Sequence, residues 1–191
     1  PSLDAVLAWA REAGERDVEA EALLLAARTE LEAGGRHTRE RLEACLEAAG
    51  PHKRSLQARA LLVLGRVALS EGGVEEAGTH LDLGLALAGE VEEEPLVQDC
   101  LLALGETALA SGDPEGAASR FEACRQSALG AVDRERLAAA LCGLGESALA
   151  GAGIGPPRPF FEEADSLAAA LGNGLLRRRA ARGLARAGAD S

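Results

Sequence analysis

The sequence predicts an all-α protein built as a solenoid of helix pairs, and three observations carry that prediction. The stretch Leu64-Gly65-Arg66-Val67-Ala68-Leu69 returns as Leu104-Gly105-Glu106-Thr107-Ala108-Leu109 and again as Leu144-Gly145-Glu146-Ser147-Ala148-Leu149, a step of 40 residues each time. A fixed period of this size signals an array of repeated units. A second ladder, Leu3, Leu42, Leu81, Phe121 and Phe161, advances by 39, 39, 40 and 40. Finally, hydrophobic residues make up 47% of the chain but aromatics only 2%, so Ala and Leu supply the core. These are strong helix formers, and strand formers are scarce. A conventional helical bundle would keep the 3.6-residue spacing within helices but would show no fixed long step.

The elements follow in order. Leu3, Val6, Leu7 and Ala10 are spaced for a helix over 3–13, which Gly14 can end in the left-handed conformation. Asp17 can cap a second helix reaching Leu31 before Gly34-Gly35, and Thr38 can start a third through Ala48, stopped by Gly50-Pro51. Residues 54–70 carry the first copy of the motif and break at Gly72-Gly73. A helix over 74–88 leads into the acidic run Glu90 to Glu94. Pro95 suits the first turn of the next helix, because its missing N–H has no partner to lose there. That helix carries the second copy and stops near Ser111-Gly112; Asp113-Pro114 then combines a side-chain cap with a first-turn proline. Helices over 114–129, 133–150, 158–171 and from 174 onward complete the chain, with the Gly151–Pro157 turn between the second and third of these.

Units at about 17–50, 54–89, 94–130 and 133–171 are therefore expected in one domain spanning 1–191, with a partial unit at 1–14 and a last helix at about 174–188. One such unit cannot bury its apolar face alone. Leu3-Asp4 matches Leu81-Asp82, so the chain enters part-way through a unit. With Pro1 first and no Met, this predicts a piece of a longer protein that continues upstream.

The net charge of −11 and pI near 4.8 oppose nucleic-acid binding, which needs a basic surface to displace counterions. The scarcity of stacking aromatics opposes single-stranded ligands. No run approaches the roughly 20 apolar residues of a membrane span, and no secretory leader is visible. Cys45, Cys100, Cys124 and Cys142 form no Cys-x-x-Cys pair and have no His at metal-ligand spacing. They read as small buried hydrophobes in a reducing compartment, the cytoplasm. No metal or cofactor is expected.

The residues resemble tetratricopeptide repeats: Leu64-Gly65, Ala68, Ala77, Leu81 and Gly84; then Leu104-Gly105, Ala108, Ala117, Phe121 and Cys124; then Leu144-Gly145, Ala148, Pro157, Phe161 and Ala164. A degenerate copy precedes them at Ala26-Ala27, Glu30, Leu42 and Cys45. The period exceeds the family's usual 34 by about six residues, and Ala stands where the family has Tyr. The long variety is similar to repeats of large bacterial signal-responsive regulators. The resemblance implies a right-handed superhelix, and within it a protein- or peptide-binding concave face lined by each unit's first helix. Self-association through the ends is a further expectation.

Carried over residue by residue, that face presents Leu24, Leu62, Leu102 and Cys142 as one ladder and Leu31, Leu69, Leu109 and Leu149 as another. Between them runs a polar row, Arg28, Arg66, Glu106 and Glu146, which changes sign midway. Arginines can fork a carboxylate and glutamates can accept from a basic residue, so the row suits a peptide with one acidic and one basic end. The plain alternative is that the leucines pack between repeats and the charges are solvated. The arginines of the last helix, Arg177, Arg178, Arg179, Arg182 and Arg186, could dock on Glu90 to Glu94, a second chain or an anionic surface; otherwise they form a polar cap.

His37, His52 and His80 lie near no nucleophile or carboxylate constellation. Gly151-Ala-Gly-Ile-Gly follows a helix and lacks Lys-Ser/Thr, so it reads as a turn and not a phosphate cradle. The expected function is a non-enzymatic interaction module, a scaffold or sensor region of a larger bacterial cytoplasmic regulator. The alternative is a regulatory domain whose concave groove binds a small effector.

Overall fold

The computed structural model describes residues 2–32 and 37–189. Among them the chain forms ten α-helices and no strand: α1 Leu3–Ala13, α2 Arg16–Glu32, α3 Thr38–Ala49, α4 Arg54–Ser70, α5 Val74–Glu90, α6 Glu94–Ala110, α7 Pro114–Ala131, α8 Arg134–Leu149, α9 Arg158–Leu171 and α10 Gly174–Ala189. The Gly34-Gly35 break expected from the sequence lies outside the described residues. The chain divides into two compact units, 1–96 and 97–191, with the boundary inside α6.

Helix ends follow local chemistry. Ser2 caps α1 through a 3.3 Å bond from the Ala5 N–H, and Gly14 ends it at φ 71°. Asp113 accepts from the Gly116 N–H at 2.8 Å, and Asp133 does the same for Arg136 at 3.0 Å. Asn173 accepts from Leu175 and Leu176, both at 3.1 Å. The expected Asp17 cap is corrected: α2 already begins at Arg16, and Asp17 lies in its first turn, where its carboxylate reaches Lys53 at 2.8 Å. A carboxylate in the first turn complements the helix dipole without capping. The helix expected to stop at Leu129-Gly130 runs to Ala131 and ends on Val132 in the left-handed region, φ 58°.

In the first unit α3 packs on both α2 and α4, α4 packs on α5, and α2 also touches α4. In the second unit α8 is flanked by α7 and α9, and α10 packs on α9 and α8. The 40-residue motif explains this packing. A Cβ on Gly65 would fall 2.4 Å from Leu81 Cγ; on Gly105 and Gly145 it would fall 2.6 Å from the rings of Phe121 and Phe161. No real side chain tolerates such contacts, so these glycines let the second helix press its largest residue onto the first.

Phe121 and Phe161 each meet a second glycine as well. Phe121 also fills the space before Gly143 and Phe161 the space before Gly183, at 2.5 and 2.2 Å from a notional Cβ. One ring thus wedges between its own first helix and the next, completely buried. Burying such a side chain contributes roughly 1.5–3 kcal/mol.

Candidate functional site

The face of the even-numbered helices was expected to carry the site, and its residues divide sharply. Leu24, Leu62, Leu102 and Cys142 are all buried. They are turned mostly toward neighbouring helices, although Leu24 and Leu102 each still border a cleft of their own unit. The outer ladder stays accessible, with Leu31 exposed and Leu69, Leu109 and Leu149 half-buried.

The polar row also splits. In the first unit Arg28 and Arg66 are exposed, and neither has an ion pair among the described residues. Arg28 borders a cleft of about 570 Å³ whose walls include Leu24, Leu25, Leu56, Arg59 and Val91. Leu25 is 53% exposed there, an apolar surface beside a cation. Three further basic groups of this region are held by carboxylates of the same unit. Lys53 pairs with Asp17, Arg54 with Glu90, and Arg59 with Glu93, which also accepts from Ser55 Oγ at 2.5 Å. The Ser55 hydroxyl, followed by Arg59, holds the Glu93 carboxyl below its ordinary pKa. Two carboxylates of the acidic run, Glu90 and Glu93, are therefore engaged by α4 of their own unit.

In the second unit Glu106 and Glu146 share one arginine. Arg179 Nε and Nη2 fork Glu146 at 2.8 and 2.6 Å, while Nη1 donates to Glu106 at 3.1 Å. Burial works against this charge, but the Glu146 hydrogen bonds and both carboxylates outweigh it and raise the Arg179 pKa. Arg136, two helices earlier on α8, repeats the device, forking Asp99 at 2.9 and 2.8 Å and reaching Asp133 at 2.7 Å. Both arginines escaped the sequence reading, which placed Arg179 only in a basic terminal helix. A signal existed: stepping back by 40 from Arg179 gives Ala139, Asp99 and Arg59, a register that carries charge in three copies of four.

The remaining chemistry is sparse. His37 bonds Glu40 at 2.9 Å and His80 lies within 3.5 Å of Glu76; His80 sits in the second turn of α5 and not at a helix start. Gly151, Gly153 and Gly155 all take positive φ, which is turn geometry. None of the four thiols is in a disulfide and all are buried, and burial pushes Cys45, Cys124 and Cys142 up to about 11, 12 and 11. Among the described residues no cluster of His, Cys, Asp and Glu could hold a metal ion, and no helix is long and apolar enough to cross a membrane.

With this geometry in view, comparison with known proteins adds no kinship: no family model matches the chain, and no curated protein matches it.

Proposed function

We propose that the protein is a non-enzymatic interaction module, a right-handed solenoid of long tetratricopeptide-like units that holds a protein or peptide segment on the face of its first helices. The observation carrying this reading is the pair Arg28 and Arg66, exposed cations without a carboxylate partner among the described residues, in a chain of net charge −11. An unpaired guanidinium next to exposed leucine suits a segment alternating acidic and apolar residues. The sequence-based expectation of a receptor for both signs narrows accordingly: Glu106 and Glu146 already accept from Arg179, so the open charge is positive. Cytoplasmic scaffolding within a larger bacterial regulator is the setting proposed for it.

The test is charge reversal. Arg28→Glu with Arg66→Glu should weaken capture of an acidic-apolar peptide library at least tenfold, while helicity and thermal melting stay unchanged; equal binding by wild type and variant sinks the reading. A second reading, a small anionic effector, is favoured by the cleft itself, since about 570 Å³ falls within the range of small-molecule pockets. Thermal-shift screening of metabolites against the same variant separates the two.

A further inference from the structure

The second helix of the last complete pair starts one turn late. Leu81 and Phe121 are each the eighth residue of their helix, whereas Phe161 is the fourth residue of α9. Four residues make about one α-helical turn, so α9 lacks the turn that opens α5 and α7. In its place the link from α8 runs over residues 150–157, against 71–73 and 111–113 in the two preceding pairs. Gly153 and Gly155, at φ 67° and 105°, and Pro156-Pro157 keep that link from winding as helix.

A cleft of about 740 Å³ opens here, within the second unit. Leu141 and Leu144 of α8, both buried, give it an apolar floor. Ile154 of the link and Phe160, in the first turn left to α9, form one wall. The other wall is a stripe of α7, Glu115, Ser119, Glu122 and Arg125, at the three- and four-residue steps that share a helix face. Glu163 of α9, three residues from Phe160, lines it as well. Among these lining residues Arg125 alone is cationic, and it forks Glu122, with Nε and Nη2 each at 2.7 Å. Glu115 and Glu163 have no ion pair among the described residues. The cleft thus sets two uncompensated carboxylates around an apolar floor.

We infer that this cleft binds a small organic cation, a protonated amine carried on an apolar body. The ammonium donates to Glu115 and Glu163 at the rim, and the apolar body covers Leu141, Leu144, Ile154 and Phe160. Charge selects the class: an anion meets two carboxylates, and a neutral apolar molecule takes water from them without replacing its hydrogen bonds. The leucine floor offers a metal ion no ligand, and no cluster of His, Cys, Asp and Glu among the described residues could hold one. A volume of about 740 Å³ is that of a pocket for one small molecule, which favours such a ligand over a basic peptide running past. The site is separate from the arginines of the first unit and opposite in sign, so it does not rest on the reading proposed above.

Dansylcadaverine, a primary ammonium on an apolar fluorophore, probes the cleft directly; dansylglycine carries the same fluorophore on a carboxylate. Titrating the intact chain into dansylcadaverine should shift its emission to the blue saturably, while dansylglycine shows no shift. Glu115→Gln with Glu163→Gln keeps the shape and removes the charge, and should weaken dansylcadaverine binding about tenfold with helicity unchanged. Ser119→Trp, at an exposed position of the stripe, fills the cleft and should abolish the shift. Absence of saturable binding by the wild type overturns the inference, and a Lys-Leu peptide that binds there instead assigns the cleft to a protein partner. Equal binding of dansylglycine, or undiminished binding by either variant, overturns it as well.

Discussion

Arg179 shows how one side chain can change the meaning of a surface. Its guanidinium joins three helices, forking Glu146 on α8 and reaching Glu106 on α6, at 23% side-chain exposure. Charge-assisted bonds of this bidentate kind are strong and geometrically specific. Removing the cation leaves two carboxylates on neighbouring helices with no counter-charge. Arg179→Ala should therefore cost about 1.5–3 kcal/mol in urea unfolding. In a double-mutant cycle with Glu146→Ala the coupling should be about 1 kcal/mol, and a coupling near zero would mean that the fork contributes nothing. Arg28 and Arg66 occupy equivalent places in the first unit and have no such partner, so at the same register one unit spends its charges internally and the other presents them.

At the scale of elements, the repeated glycine does the organising. Gly105 and Gly143 both sit against the ring of Phe121, whereas Gly78 in α5 has nothing within 4 Å of a notional Cβ. Two alanine substitutions should then move stability in opposite directions. Gly78→Ala should gain up to about 1 kcal/mol from helix propensity alone. Gly105→Ala should lose about 1–3 kcal/mol despite the same gain, because an aromatic ring cannot yield the missing ångström. Thermal melts of the two variants side by side decide it. Stabilisation by Gly105→Ala would mean that the close crossing is not needed.

Much of this was legible beforehand. The ten helices, the glycine step and the large apolar ladder were all readable, since propensity, capping and periodicity act locally. Gly143 and Gly183 were not singled out, because their need for space comes from a ring on the preceding helix pair, 22 residues earlier in the chain. Leu24 and Leu62 show the same limit from the other side. Spacing places them on one helix face, but only the neighbouring helices decide whether that face meets water.

At the scale of the whole molecule, each unit seals its thiols. Cys45 belongs to the first unit and Cys100, Cys124 and Cys142 to the second, all without accessible surface. In the native state at pH 8 none should react with a thiol reagent on the timescale that labels the urea-unfolded chain completely; rapid native labelling would show that a unit opens readily. The sign of the pH dependence follows. Burial raises Cys45, Cys124 and Cys142 above the ordinary 9.0, so the folded state keeps protons that the unfolded state releases. Their contribution is complete below about pH 9 and is lost as pH climbs toward 11 to 12, so melting temperature should fall over that window.

The sequence by itself determined the helices, the 40-residue period and the glycines that permit close crossing. Each of these rests on nearest neighbours or on a repeat that needs no coordinates. Tertiary structure alone decided which leucines are core and which carboxylates are already occupied. These depend on what arrives from 30 or more residues away, as Arg179 arrives at Glu146 and Glu106. A side chain's charge is written in the chain; whether it is spent or available is a property of the packing.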